Sequence, residues 1–194
     1  AVDFDGKELK TKWLHASLTP NDWKVTDADG KVQKEAHGCK NTAYAQGAHS
    51  LAVGDVDGDG CDEITYGSAA INHDGTLLYS TGLGHGDAQH LADQDPDRQG
   101  LEYYMVHEEY PYGSELRDAR TGEILFRTLD KDDTGRGLAA DIDAQHRGYE
   151  LWCSDAPVVR DIKGKTVSAE TSLSYKKNHE ADHFRSNEKT SFKA

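Results

Sequence analysis

Long hydrophobic runs are missing from this chain of 194 residues. No stretch approaches the roughly 18 consecutive apolar residues of a membrane-crossing helix, so no membrane partner is expected. Proline is scarce, with four residues, and the three cysteines (Cys39, Cys61 and Cys153) are an odd number without metal-type spacing. At most one disulfide is possible, and cysteine usage leaves the redox compartment open. Positive charge is in deficit. The chain has 22 Lys and Arg against 35 Asp and Glu, a formal net charge of -13. That balance argues against a nucleic-acid partner and repels a polyanionic substrate unless bound cations offset it. Apolar residues make up only 36%, below the usual share of a globular domain. Glycine is plentiful, with 19 residues among short apolar runs, which implies many turns and many short strands. The chain opens at Ala1 without a signal-type segment, as expected of a trimmed piece.

Negative charge is most concentrated in GDVDGDGCDEI, residues 54–64. Asp55, Asp57 and Asp59 alternate, Gly60 follows, and Asp62 and Glu63 close the run. Carboxylates this close repel one another unless a cation sits among them. Calcium takes six to eight oxygen ligands from alternate positions of a tight loop, with glycine at the sharp turn. Asp55, Asp57, Asp59, the Cys61 carbonyl and Glu63 form such a set. The EF-hand pattern fails, because its twelfth position is Tyr66 and no amphipathic helix flanks the loop. The flanks SLAV and EITYG read as strands. The bland alternative is a solvated acidic turn.

The unit recurs. AVGDVDGDGCDEITYG, LADQDPDRQGLEYYMV and AADIDAQHRGYELWCS each carry Asp-x-Asp, then Gly, then Glu, then an apolar strand. Downstream of each lies a Gly turn, at Gly75, Gly122 and Gly164. Asp93, Asp95, Asp97 and Glu102 are the second candidate calcium set, and Asp141 and Asp143 the third. The third acid of the triplet changes from Asp59 to Asp97 to Gln145, so the ligand set thins along the series, and Asp141 and Asp143 also suit plain turn caps. A repeat of roughly 40–50 residues holding several strands is the mark of a propeller blade. The expected fold is therefore all-β, with about three to four blades of short antiparallel strands from a larger ring. The boundaries read as 1–18, the end of a preceding blade; 19–45, an inserted loop; blades at 46–84, 85–134 and 135–170; and 171–194, an irregular or disordered tail.

The lead-ins to the first strand of each blade are QGAHSLAV, LGHGDAQHLAD and DTGRGLAAD. They bring His49, His85 with Asp87, and Arg136 to nearly the same height at one end of the ring. Glu108 and a Tyr-Pro-Tyr loop suited to stacking on sugar rings leave a nearby strand. Each of these polar residues also has an ordinary reading as a turn or ion-pair residue. His90 and His107 are expected inside or capping strands, and His15, His37 and His146 on the surface.

Segments 43–68, 78–108, 116–127 and 135–143 together resemble the rhamnogalacturonan lyases built as eight-bladed, calcium-rich propellers; GLGHGDAQH and VHE carry most of the likeness. The resemblance runs from Val2 to about residue 168. It implies a secreted, periplasmic or cell-surface enzyme that cleaves the rhamnose–galacturonate backbone of pectin by β-elimination. It marks His49, His85, Asp87, Glu108 and Arg136 as cleft residues. Elimination removes the proton α to the uronate carboxylate, which Arg136 or a cation held by Asp87 and Glu108 would neutralise, with His49 or His85 as general base. Asp87 and Glu108 would then be substrate-binding and Ca²⁺ the cofactor. The chain departs from the family in supplying only part of the ring, so further blades or another chain are expected to close it, and the isolated piece is expected to show little activity. A different class of function, a non-catalytic calcium-stabilised propeller that binds carbohydrate or protein, would have no use for the His49/His85/Asp87/Arg136 set.

Overall fold

The computed structural model describes residues 1–154 and 158–168. Among them there are strands and turns and no helix, hence no helix long and apolar enough to cross a membrane. The expected tail at 171–194 lies outside the described residues.

Five antiparallel sheets follow one another in chain order as an open series. The first is a hairpin of β1 (Val2–Phe4) and β2 (Leu9–Thr11), whose turn is tied by Asp5 Oδ1 accepting the Lys7 and Glu8 amides at 3.0 and 3.1 Å. The second contains β3 (Leu14–Thr19), β4 (Asp22–Thr26) and β5 (Val32–Ala36). Three four-stranded meanders complete the series. They are β6 (Ala52–Gly54), β7 (Glu63–Tyr66), β8 (Ala69–Ile71) and β9 (Leu77–Ser80); β10 (Gln89–Ala92), β11 (Glu102–His107), β12 (Gly113–Asp118) and β13 (Ile124–Leu129); and β14 (Gly137–Ala140), β15 (Glu150–Cys153), β16 (Val159–Arg160) and β17 (Thr166–Ser168).

The β3–β5 sheet corrects the expectation of a loop over 19–45, and a boundary at residue 18 cuts through β3. The reason is physical. Lys24, Gln33, Lys34 and Glu35 point outward, so hydropathy gives no strand signal, and few apolar groups anchor the sheet. Trp13 and Val25 pack on Ile71, Trp13 Nε1 donates to the His73 carbonyl at 3.0 Å, and Lys34 pairs with Asp74. His15, expected on the surface, is half-buried, stacks on Trp23, and donates from Nδ1 to the Gly75 carbonyl at 2.7 Å.

The core is a set of layers between successive sheets. Alternation along β11 sends Tyr103 and Met105 into the layer shared with Ala48 and Val56, and Tyr104 and Val106 into the layer shared with Ala139 and Leu151. A strand buried on both faces in this way explains how a chain of modest apolar content builds a core. Each meander also carries a turn glycine against a ring from earlier in the chain, Trp13 just before β3, Tyr79 on β9 and Phe126 on β13. A Cβ on Gly75 would lie 2.8 Å from Trp13, one on Gly122 would lie 2.6 Å from Tyr79, and one on Gly164 would strike Phe126.

One buried arginine spans a layer and pairs with a glutamate of its own strand. Arg117, fully buried on β12, donates to Glu115 at 2.5 Å and to the Gly67 carbonyl of the neighbouring sheet, with its guanidinium 4.1 Å from the Tyr103 ring centroid. Burial opposes both charges, yet Arg117 holds Glu115 below its usual range and Glu115 raises Arg117.

Two histidines give the fold a pH dependence. Burial lowers His15 and His90 from 6.5, against the opposing effect of their hydrogen bonds to the Gly75 and Gly137 carbonyls. The native state therefore keeps them neutral while the unfolded chain takes up protons below about pH 6.5. Stability is expected to fall as pH drops from about 7.5 to about 5.5, before the carboxylates titrate. Melting temperatures across that range check this, and the double variant His15→Gln/His90→Gln is expected to flatten the slope.

Candidate functional site

Strands β6, β10 and β14, the first of each meander, stand side by side. The residues just before them therefore share one end of the molecule. A parallel bridge between Ala48 and Gly86 fixes His49 beside Asp87. Gly86 is required there, because any Cβ would collide with the Val106 carbonyl. Glu108 is positioned by its amide donating to the His85 carbonyl at 3.1 Å, and Arg136 by its carbonyl accepting the Ser154 amide at 2.8 Å.

All five cleft residues expected from the sequence come together. His49 Nε2 lies 3.2 Å from Asp87 Oδ1, and Arg136 pairs with the other Asp87 oxygen. Arg136 thus takes Asp87 as a partner. His85 Nε2 is 3.4 Å from Glu108 Oε2, and the two imidazoles meet edge to face with centroids 4.9 Å apart. One ligand atom from each of His49, His85, Asp87 and Glu108 falls within 4.8 Å of the others, so the group is also able to hold a cation. Asp87 is mostly covered, its side chain 11% exposed, while that of His49 is 68% exposed. Partial burial, then the hydrogen bond and charge of Asp87 and the charge of Asp133, push the Glu108 carboxyl up, with His85 opposing. Nearby, Tyr110 stands 83% exposed, edge-on to Tyr112.

The three acidic loops differ. In the β6–β7 loop, Asp55, Asp57 and Glu63 bring ligand oxygens within 4.8 Å of one another. Asp59 is not in that group; its carboxylate turns towards His73 Nδ1 at 3.3 Å. In the β10–β11 loop, the chain's own cations take the acids: Lys163 reaches Asp95 at 2.5 Å and Arg147 reaches Asp97 at 2.8 Å. No cluster of the β6–β7 kind forms there from Asp93, Asp95, Asp97 and Glu102 among the described residues. In the β14–β15 loop, Asp143 caps the Gln145 amide and pairs with His146, and Asp141 joins no such group among the described residues. The recurring glutamate has a role that sequence reading missed. Glu63, Glu102 and Glu150 are buried and accept loop amides: Val56 for the first, Gln94 and Asp95 for the second, and Ile142 and Asp143 for the third. Lys163, Arg147 and His73 were also missed; each arrives from a distant turn, and no local spacing announces it.

Residues 1–188 match the family profile of rhamnogalacturonan lyase family 11, C-terminal domain. The chain is 49% identical over 160 residues to the rhamnogalacturonan exolyase YesX of Bacillus subtilis (strain 168), covering 81% of this chain and 23% of YesX. It is 51% identical over 133 residues to the rhamnogalacturonan endolyase YesW of the same organism, covering 65% and 22%. The crystal structure of the exotype lyase YesX superposes with a TM-score of 0.66 at 46% identity, over 77% of this chain and 27% of that one. The chain thus spans about a quarter of the length of the relatives it matches. With the profile covering nearly its whole length, the chain belongs to rhamnogalacturonan lyase family 11, as a piece of its C-terminal domain.

Proposed function

We propose that this chain carries the substrate cleft of a rhamnogalacturonan lyase, on blades of a calcium-binding propeller that the rest of a longer protein completes. The observation that carries the reading is the convergence of His49, His85, Asp87, Glu108 and Arg136 from the ends of three consecutive sheets. Side-by-side first strands and four-stranded meanders support the propeller. The all-oxygen group Asp55, Asp57 and Glu63 suits calcium and would hold it. When bound, the ion supplies the positive charge that lets these carboxylates sit together.

Arg136, oriented by Asp87, is placed to pair with a uronate carboxylate and so to favour loss of the neighbouring proton. His49, the more exposed imidazole, is steadied by Asp87 and takes that proton as general base. The C–H electron pair becomes the new C=C bond, and the C–O bond to the leaving sugar breaks. Glu108, whose carboxyl is pushed up, is the group that returns a proton to the departing oxygen. Tyr110 offers a ring face to a sugar.

Calorimetric titration with rhamnose–galacturonate oligosaccharides tests this. The folded chain is expected to bind, and His85→Ala and Arg136→Ala to weaken binding at least about tenfold, roughly 1.4 kcal/mol. Equal affinity in all three proteins, or no binding by the folded chain, would overturn the reading.

A further inference from the structure

The hairpin that carries Glu108 to the cleft has a second arm. Strands β11 and β12 pair as far as His107 and Gly113, so residues 108–112 form the tip. Glu108 leaves on one side, towards His85, and Pro111 and Tyr112 return on the other. Arg127 of β13 holds the returning arm: its Nη2 donates to the Pro111 carbonyl at 2.7 Å. The Tyr112 carbonyl accepts the Asp130 amide just beyond the same strand, at 3.4 Å.

Arg127 is a half-buried cation without an anion. Glu115 lies opposite it in the β12–β13 register, but Arg117 takes that carboxylate. Glu109, the other acid of the tip, lies against Gly84 of the neighbouring lead-in. Among the described residues, the Pro111 carbonyl is the hydrogen-bond partner of the guanidinium, and Arg127 Nε is shielded from solvent with no acceptor. In a chain with 35 acids against 22 basic residues, an arginine that meets no carboxylate of its own points to an anion from outside. Nη1 and the second hydrogen of Nη2 remain for it.

The neighbouring rings select the kind of anion. A guanidinium recognises a carboxylate through two parallel N–H donors. Tyr110, 83% exposed and edge-on to Tyr112 with centroids 6.1 Å apart, adds an apolar face with a hydroxyl at its rim. A cation beside an open aromatic face suits an acidic sugar. We propose that Arg127 and the Tyr110–Tyr112 tip form a second uronate subsite, which reads a carboxylate on a repeat unit next to the one that Arg136 engages. Resting on the cleft reading, this subsite extends it: an alternating rhamnose–galacturonate chain carries an acid on every second sugar, so one long ligand presents a carboxylate to each arginine at once.

The test is calorimetric titration of the parent chain, Arg127→Met and Arg127→Lys with two probes. One is a rhamnose–galacturonate disaccharide, with a single carboxylate; the other is the hexasaccharide of the same repeat. The parent chain is expected to bind the hexasaccharide at least about tenfold more tightly than the disaccharide, as one extra charge-assisted contact provides. Arg127→Met is expected to lose that gain and keep the disaccharide affinity, and Arg127→Lys to keep part of the gain, with circular dichroism showing both variants folded. A hexasaccharide whose carboxyls are reduced to alcohols is expected to bind the parent chain and Arg127→Met alike. Equal hexasaccharide affinity in the parent chain and Arg127→Met overturns the subsite and leaves the cleft reading standing. So does a loss that also appears with the disaccharide, or one that persists with the reduced hexasaccharide. A folded parent chain that binds neither probe overturns both.

Discussion

Replacing Arg117 with Met is expected to lower the unfolding free energy by about 3–5 kcal/mol. The guanidinium is fully buried and neutralises Glu115, which is also fully buried, so its loss strands a carboxylate away from water. His107 Nε2, at 3.5 Å from Glu115, sits in the same dry layer. The Gly67 carbonyl and the Tyr103 ring also lose their partner. The double variant Arg117→Met/Glu115→Leu is expected to recover most of the loss, because an apolar pair of similar volume carries no desolvation cost. Urea midpoints of the three proteins measure the effect. A single-variant loss under about 1 kcal/mol would mean that Glu115 takes up a proton with little penalty.

Chelating calcium is expected to cost a similar amount. An ion that binds only the folded state stabilises it by about 4 kcal/mol when its concentration is a thousand times its dissociation constant. Asp57→Ala is the informative variant. The Asp55 oxygens accept the Gly58, Asp59 and Gly60 amides, so replacing Asp55 would open the loop whether or not an ion binds. Asp57 accepts the Asp59 amide alone among the described contacts. The expected result is a calcium-dependent melting temperature in the parent chain and a calcium-independent one in Asp57→Ala. Identical melting with calcium and with chelator in the parent chain would remove calcium from the account of this fold.

The repeat was legible because its signal is local: Asp-x-Asp, Gly and Glu recur at matching offsets, and the lead-ins before them place His49, His85, Asp87 and Arg136 at one end. Two kinds of feature escaped. The β3–β5 sheet escaped because it presents Lys24, Gln33, Lys34 and Glu35 to solvent and anchors through few apolar side chains, so no alternation stands out. The fate of the acids escaped because a sequence displays charge without burial. Glu102 reads as a calcium ligand, yet it lies 1% exposed and braces its own loop, while Asp95 and Asp97 meet Lys163 and Arg147 from the next sheet. His73 reaches Asp59 and Cys61 only once the β7–β8–β9 meander folds back, which spacing along the chain does not reveal.

The contacts of Gly75 with Trp13, Gly122 with Tyr79 and Gly164 with Phe126 give the stack a direction. Each of the three meanders turns a glycine onto a ring that comes earlier in the chain, so the spacing between neighbouring sheets is set where a side chain is missing. A methyl group at any one of these three turns would wedge two sheets apart and be felt along the rest of the stack.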